Sequence, residues 1–175
     1  MPRKIKLAMQ NIAYCGGCEI ALADLGQNLL DLLSERIDFV YGPLFMSTKD
    51  YDDVDIMLIT GAVRTEEDIE QIKKAREKAR YLVSFGSCAC FGGIPGLANL
   101  EDKDHLLKVA FEDTPSTRKD KAARPNIDIP ALTESIKPVD EYVSIDFALA
   151  GCPPLPPMIA DFLAGILGKI HTREA

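Results

Sequence analysis

The order of apolar and polar residues predicts strands and helices that alternate along most of the chain. Short apolar runs bounded by glycine, proline or polar residues are typical of strands. Apolar residues that recur every three or four positions are typical of helices. The predicted strands cover residues 5–12, 38–44, 54–60, 81–85 and 142–149. The predicted helices run from Ile20 to roughly Ser34, from Thr65 onward, over 103–112 and over 159–170.

Two of these segments carry additional signals. Residues 54–60 (VDIMLIT) are nearly all apolar, as expected for a strand that is covered on both faces of its sheet. Thr65 is a good N-cap and is followed by three acidic residues, while lysine and arginine are frequent toward residue 80. That distribution of charge suits the dipole of a helix that begins after Thr65.

Five strands with helical crossovers predict an α/β fold, a flavodoxin-like, doubly wound and mainly parallel sheet. A length of 175 residues is typical of one domain, so we expect a single flavodoxin-like domain over 1–175. The pattern weakens before the last strand, where prolines stand among charged residues. Residues 99–141 are therefore predicted to be an irregular excursion within this domain, because they lack the apolar residues for a core of their own.

Charge and composition narrow the possible functions. The formal net charge is −7 and no basic run is present, so nucleic acid is not expected as a partner. The apolar stretch near the N-terminus is too short and too charged for a signal peptide or a membrane span. We therefore expect a cytoplasmic protein without a membrane span, in which the five cysteines are reduced thiols or metal ligands rather than disulfides.

Four cysteines follow predicted strands, and each lies in a glycine-rich turn. Cys15 and Cys18 follow the first strand, Cys88 follows the fourth, and Cys152 follows the fifth. Because the carboxyl ends of parallel strands meet at one edge of a sheet, these turns should converge. Four thiolates at one edge can bind a cubane iron–sulfur cluster or a tetrahedral zinc ion.

Other interpretations of the cysteines remain open at this point. The CGGC turn alone is also typical of a redox dithiol at the start of a helix, but that interpretation leaves Cys88 and Cys152 unexplained. Structural zinc usually draws on two close pairs of cysteines, whereas this chain has one pair and two single residues. Glycine-rich turns favour a cluster, because they let backbone N–H groups face the sulfur atoms. The glycines concerned are Gly16, Gly17, Gly86, Gly92, Gly93 and Gly151.

The remaining candidates have simpler interpretations. Cys90 is interpreted as a small buried residue, with a role as an alternate ligand as the other possibility. Glu19 is compatible with capping of the first helix. We predict no catalytic residue in the chain itself, since neither a Ser–His–Asp set nor a pair of carboxylates for acid–base chemistry is recognisable.

Three motifs together resemble those of the small, electron-transfer subunit of NiFe hydrogenases. They are C-x-x-C near the N-terminus, GSCACFGG in the middle and GCPP near the end. The stretches CGGCEIALADL and GSCACFGGIPGLANL are most similar to those of the cytosolic, cofactor-linked enzymes, namely the methyl-viologen-reducing and the soluble NAD-linked or bifurcating types. The resemblance covers essentially the whole chain.

The resemblance implies one proximal 4Fe–4S cluster bound by Cys15, Cys18, Cys88 and Cys152. It also implies two partners: a large subunit that carries the NiFe site, and a further flavin- or iron–sulfur-containing electron-transfer subunit. Two features depart from the family pattern. Gly16 stands where many members have threonine, and the ferredoxin-like domain that many members append is not present in these 175 residues.

Two alternatives to this function stay open. The first is a related iron–sulfur subunit on the quinone side of respiratory complex I, whose cluster turn typically carries two adjacent cysteines instead of the C-x-x-C found here. The second, from a different class, is an interaction subunit held together by zinc.

Overall fold

The computed structural model describes residues 3–118, 120 and 124–174, and a five-stranded parallel sheet lies at its centre. The strands of the described residues, in chain order, are β1 Ile5–Asn11, β2 Ile37–Tyr41, β3 Val54–Thr60, β4 Val63–Thr65, β5 Ala79–Phe85, β6 Leu132–Lys137 and β7 Phe147–Leu149. The main sheet has the order β2-β1-β3-β5-β7, and all its neighbours are parallel. This order is that of a flavodoxin-like sheet and confirms the predicted fold class.

Helices cover both faces of the sheet. In the described part of the chain they are α1 Gly17–Ala23, α2 Gln27–Glu35, α3 Glu66–Lys78, α4 Ser87–Phe91, α5 Lys103–Phe111 and α6 Pro156–Glu174, with 3₁₀ helices at Pro95–Leu100 and Val139–Glu141. Helices α1, α2 and α6 pack in the core on one face, and α3, α4 and the second 3₁₀ helix pack on the other. Within the described residues, no helix is both long enough and apolar enough to span a membrane.

The central strand β3 shows how the sequence dictates this layering. All seven of its residues are buried, and it pairs with β1 on one side and β5 on the other. An apolar run of this kind is stable only where both faces are covered. The predicted bounds of this strand, 54–60, are those of the structure.

The helix predicted from Ile20 to Ser34 is two helices. Gly26 has φ of +56° and separates α1 from α2. Residues other than glycine rarely adopt this left-handed conformation, so the chain turns here although the apolar spacing continues through Leu25 and Leu29. The apolar periodicity alone therefore predicts one helix, whereas the structure has two helices separated at Gly26.

The end of the chain also differs from the prediction. Strand β7 covers three residues instead of 142–149. Tyr142, Val143 and Ile145 pack against the core without pairing as a strand, so their apolar character reflects burial rather than strand formation.

The segment 99–141 has more regular structure than its sequence indicates. It contains the predicted α5, and also β6, which pairs antiparallel with β4 to form a separate two-stranded sheet. Neither β4 nor β6 was predicted. β6 (LTESIK) is largely polar, and the Asn99 side chain holds it by donating to the Ile136 carbonyl at 2.7 Å and accepting from the Ile136 N–H at 2.8 Å.

The N-terminus of α3 agrees with its sequence signals. The Thr65 hydroxyl accepts a hydrogen bond from the Asp68 N–H at 3.1 Å, and the Asp68 carboxylate accepts from the Thr65 N–H at 2.8 Å. This reciprocal capping box supplies partners for two N–H groups that a helix start would otherwise leave unpaired.

Candidate metal centre

The four predicted cysteines lie at the carboxyl edge of the main sheet. Cys15 follows β1 and is exposed, and Cys18 lies in the first turn of α1 and is partly buried. Cys88 lies in α4, directly after β5, and Cys152 follows β7 and is exposed. The strand ends therefore bring together side chains that are far apart in the sequence.

The turn that carries Cys88 is hydrogen-bonded to the turn that carries Cys152. The Gly86 N–H donates to the Leu149 carbonyl and the Ser87 N–H donates to the Gly151 carbonyl, both at 2.8 Å. In return the Gly151 N–H donates to the Ser87 hydroxyl at 3.2 Å. These bonds fix the separation of the two turns before any ligand is bound.

Glycine at position 86 lets the Cys88 turn approach the CGGC turn. Gly86 has φ of +91°, and a Cβ atom built there would overlap Cys18 Sγ. Gly93 is similar, since it has φ of +46° and a Cβ atom there would lie 2.8 Å from Cys88 Sγ. At these two positions glycine is required by both the backbone conformation and the space around a cysteine sulfur.

The thiols influence one another's ionisation. Burial, followed by the neighbouring thiols of Cys88, Cys15 and Cys152, raises the pKa of Cys18 to about 12. Burial and the thiols of Cys152 and Cys15 also raise the pKa of Cys88. Four thiolates in this space repel one another, so their ionised forms require a compensating positive charge, which a bound metal centre supplies.

The donor set fits an iron–sulfur cluster. Thiolates are the ligands such clusters require, and glycine at positions 86 and 93 leaves the space that the Cys18 and Cys88 sulfur atoms occupy. Within the described residues, no three histidine, cysteine or acidic side chains are placed to bind a single metal ion.

Glu19 belongs to a buried polar network beside Cys18 and does not cap α1. Its side chain is fully buried, and no side-chain cap is present at the start of α1. The Asn11 amide donates to Glu19 Oε1 at 2.5 Å, and the Thr60 hydroxyl donates to Asn11 Oδ1 at 3.1 Å. Burial raises the pKa of Glu19, although hydrogen bonds from Asn11 and Tyr14 oppose this shift. The capping interpretation from the sequence is therefore wrong, because it had no information on the ends of β1 and β3.

Cys90 lies in the core, as its interpretation as a small buried residue requires. It is 8% exposed, and its thiol donates to the Ser84 carbonyl at 3.4 Å. This contact directs the Cys90 sulfur toward strand β5.

The surface around the four cysteines is apolar. It consists of exposed side chains on the cysteine turns and on the segments that follow them, and we call this set the cysteine-edge surface: Tyr14, Ile20, Phe91, Ile94, Leu97, Leu155 and Met158. Phe91 is 72% exposed and Leu155 is 64% exposed. Exposed apolar side chains grouped in this way along neighbouring segments are typical of a protein–protein interface.

Comparison with known protein families shows to which family the chain belongs. Residues 15–166, which include all four cysteines, match the model of the family described as the NADH ubiquinone oxidoreductase 20 kDa subunit. The chain belongs to this family. The match covers most of the chain and extends from the first predicted ligand to the last helix.

Curated relatives in this family are hydrogenase subunits. The chain is 36% identical over 170 residues to a subunit of the F420-non-reducing hydrogenase of Methanothermobacter marburgensis, covering 95% of this chain and 54% of the relative. It is 33% identical over 153 residues to the NAD-reducing hydrogenase HoxS subunit delta of Cupriavidus necator, covering 86% of this chain and 73% of the relative. The chain thus spans about half the length of the first of these relatives.

A solved structure agrees with this relationship. A chain in the crystal structure of an NAD⁺-reducing [NiFe]-hydrogenase in the H₂-reduced state superposes with a TM-score of 0.90 at 35% identity, covering 95% of this chain and 93% of that chain. The resemblance to NiFe hydrogenase small subunits that the cysteine motifs indicated is therefore confirmed.

Proposed function

We propose that this chain is the electron-transfer subunit of a NiFe hydrogenase and binds one 4Fe–4S cluster through Cys15, Cys18, Cys88 and Cys152. The observation that carries the proposal is the convergence of four thiols from three strand ends, in a family whose curated relatives are hydrogenase subunits. Bound there, the cluster supplies the capacity to accept and release one electron at a time.

The chain's own residues hold and tune this group. The four thiolates bind it from three directions, and the glycine turns at Gly86 and Gly93 place backbone close to two of the sulfur atoms. Cys15 and Cys152 are exposed, so a partner that covers the apolar surroundings is needed to exclude water, and exclusion of water together with hydrogen bonds to sulfur sets the potential of such a cluster. The chain breaks no bond of the substrate.

We further propose two partners and a cytoplasmic location. The cysteine-edge surface covers the region where electrons must leave or enter, so we assign it to the large subunit that carries the NiFe site. A further flavin- or iron–sulfur-containing subunit would exchange electrons with the final acceptor. The NAD-reducing enzymes among the similar proteins support such an arrangement.

Two other functions lead to different measurable results. The family name includes a subunit of NADH ubiquinone oxidoreductase, which favours the quinone-side alternative as a second candidate, although the C-x-x-C turn of this chain departs from the adjacent cysteines typical of it. An interaction subunit held by zinc would contain zinc instead of iron. Copurification with a NiFe-containing large subunit supports the hydrogenase proposal over both.

The test is metal analysis of the full chain after anaerobic purification. We expect about four irons per chain, little zinc, and visible absorption typical of iron–sulfur proteins. Serine in place of Cys15, Cys18, Cys88 or Cys152 should lower the iron content to less than half, because a cubane needs one thiolate for each iron.

Cys90→Ser is the matched control, since it changes the fifth cysteine in the same turn as Cys88. This variant should retain the iron content of the unmodified chain. Full iron occupancy in Cys152→Ser would contradict the proposed ligand set, and zinc in place of iron would contradict the proposed function.

A further inference from the structure

The turn that leads from β1 into α1 is rich in glycine and has no side-chain cap. Gly16 precedes α1 with φ of +86°, and no side chain caps the helix there. Gly17 is the first residue of the helix, and glycine loses more conformational freedom on folding than any other residue. The Ile20 N–H donates to the Gly16 carbonyl at 3.1 Å, which is a bond within the turn itself. Local structure therefore does little to fix the first turn of α1, where Cys18 lies.

The Cys18 sulfur nevertheless has little room for displacement. A Cβ atom built at Gly86 would overlap this sulfur, so the sulfur lies directly against the backbone of the turn that carries Cys88. Cys18 is only partly buried, so packing covers it incompletely. A contact outside the glycine-rich turn is therefore needed to hold the sulfur at this place.

Glu19, the next residue, supplies such a contact. The Asn11 amide donates to Glu19 Oε1 at 2.5 Å, and the Thr60 hydroxyl donates to Asn11 Oδ1 at 3.1 Å. Asn11 and Thr60 are the last residues of β1 and β3, and they are paired across these two strands. Because Thr60 is bonded to the amide oxygen, the amide NH₂ group faces Glu19. The first turn of α1 is thereby joined to two paired strand ends.

Burial alone does not account for a carboxylate at position 19. Glu19 is fully buried, and removing a carboxylate from water is unfavourable unless its oxygen atoms are hydrogen-bonded. Oε2 has no hydrogen-bond partner within the described part of the chain. The hydrogen bond that Oε1 accepts from Asn11 is therefore the feature that explains a polar side chain here.

We propose that Glu19 is a positioning residue: the hydrogen bond from Asn11 holds the first turn of α1, and with it the Cys18 sulfur, at the paired ends of β1 and β3. The consequence for a cluster rests on the proposed function, whereas the positioning itself does not require a bound cluster. Loss of the bond lets this turn move away from Gly86 and exposes the Cys18 sulfur to solvent.

Glu19→Met and Glu19→Gln form a matched pair of variants. Both side chains have the length of glutamate, suit a helix and lack the negative charge. Only glutamine keeps an oxygen that accepts from the Asn11 amide, and its NH₂ group takes the place of Oε2, where no hydrogen bond is lost. A difference between the two variants therefore reports the hydrogen bond and not the charge.

The measurement is the initial rate at which iodoacetamide alkylates Cys18 in the metal-free full chain, determined by mass spectrometry of its peptides. We expect about a tenfold higher rate in Glu19→Met, because one hydrogen bond no longer opposes opening of the turn. Glu19→Gln should react like the unmodified chain. Cys90, which is buried in the core, should react equally slowly in all three chains.

Two results would overturn the inference. The first is an equal rate at Cys18 in Glu19→Met and Glu19→Gln. The second is a rise at Cys90 as large as that at Cys18, since this would assign the effect to the overall stability of the chain.

A reciprocal exchange decides the question if Glu19→Met does not fold. Asn11→Asp sets an acceptor against the Glu19 carboxylate and should raise the rate at Cys18. Asn11→Asp combined with Glu19→Gln again pairs a donor with an acceptor and should return the rate to that of the unmodified chain. A double variant that reacts as fast as Asn11→Asp alone would overturn the inference.

Release of iron tests the consequence for the cluster. Under anaerobic conditions, the loaded chain should lose iron to bathophenanthroline disulfonate about tenfold faster in Glu19→Met than in Glu19→Gln, and equal rates would overturn the role of Glu19 at the cluster. An unmodified chain that binds no iron would instead refute the proposed function. The alkylation rates need no cluster, so the two failures are distinguishable.

Discussion

At the scale of single residues, Gly86 follows the end of β5 and lies next to the turn that carries Cys15 and Cys18. Its backbone lies against Cys18 Sγ, while its N–H is bonded to the Leu149 carbonyl at the end of β7. One residue without a side chain thus links three of the strand ends that form the candidate site.

Gly86→Ala should therefore displace the Cys18 sulfur. Gly16→Ala is the matched control, because Gly16 has a similar φ of +86° but nothing lies within 4 Å of an added Cβ. We expect Gly16→Ala to cost about 1–2 kcal/mol from backbone strain alone, with iron content unchanged. Gly86→Ala should cost more and reduce the iron content to less than half.

Urea unfolding of the metal-free chains and iron analysis of the loaded chains measure these two effects. Equal iron contents in the two alanine variants would show that the space at Gly86 does not matter for binding.

At this scale the sequence reveals the site in part. The four cysteines could be identified because each follows a predicted strand and has a glycine within two residues. The role of Glu19 could not, since it depends on the path of the backbone. Glu19 acquires its partner from the end of β1.

At the scale of elements, Asp55 joins the beginnings of two central strands. Its carboxylate accepts two hydrogen bonds from the Arg3 guanidinium, at 2.7 and 2.9 Å, and one from the Lys6 N–H at 2.8 Å. Burial would raise the pKa of Asp55, but the bonds from Arg3 and Lys6 outweigh it and lower the pKa. These hydrogen bonds therefore stabilise the β1–β3 pair at the edge of the sheet opposite the cysteines.

Asp55→Asn should lower the free energy of unfolding by about 2 kcal/mol at pH 7, because hydrogen bonds to a charged group are lost. Since folding lowers the pKa of Asp55, its contribution is present above the ordinary carboxyl pKa of about 3.9 and is lost as the pH falls below it. The difference between the variant and the unmodified chain should thus shrink from pH 5 to pH 2.

Urea unfolding of both metal-free chains across this range tests the expectation, and iron binding should be unaffected at pH 7. A difference that stays constant down to pH 2 would show that the carboxylate charge is not what stabilises the strand pair.

The elements themselves were predictable where burial and periodicity agree. β3 and the start of α3 match their predictions because an apolar run and a capping box are local signals. β4 and β6 were missed because their pairing joins residues that are distant in sequence and because β6 is half exposed. The separation of α1 from α2 was missed because it depends on the backbone conformation of Gly26, which the apolar pattern does not indicate.

At the scale of the whole molecule, the cysteine-edge surface decides how the chain assembles. On the segment after Cys152 the exposed apolar part ends at Met158, because Ile159 is fully buried in the core. Phe91, which follows Cys88 by three residues, is 72% exposed. Large aromatic side chains in such positions commonly dominate the binding energy of an interface.

Phe91→Ser should leave the stability of the chain nearly unchanged and reduce its affinity for the large subunit at least tenfold. Ile127→Ser is the matched control: Ile127 is 78% exposed but lies in the segment between α5 and β6. Copurification of a tagged large subunit with each variant provides the comparison. Equal yields of complex for the two serine variants would contradict the assignment of this surface.

The positions of the cysteines along the chain also constrain how a cluster is acquired during synthesis. Cys15 and Cys18 leave the ribosome well before β7 and Cys152. A nascent chain that still lacks Cys152 can present three of the four thiols at most, and the β5–β7 pairing that positions this turn has not yet formed. A cluster held by all four thiols can therefore be inserted only after Cys152 has emerged, and its retention reports that β7 has joined the sheet.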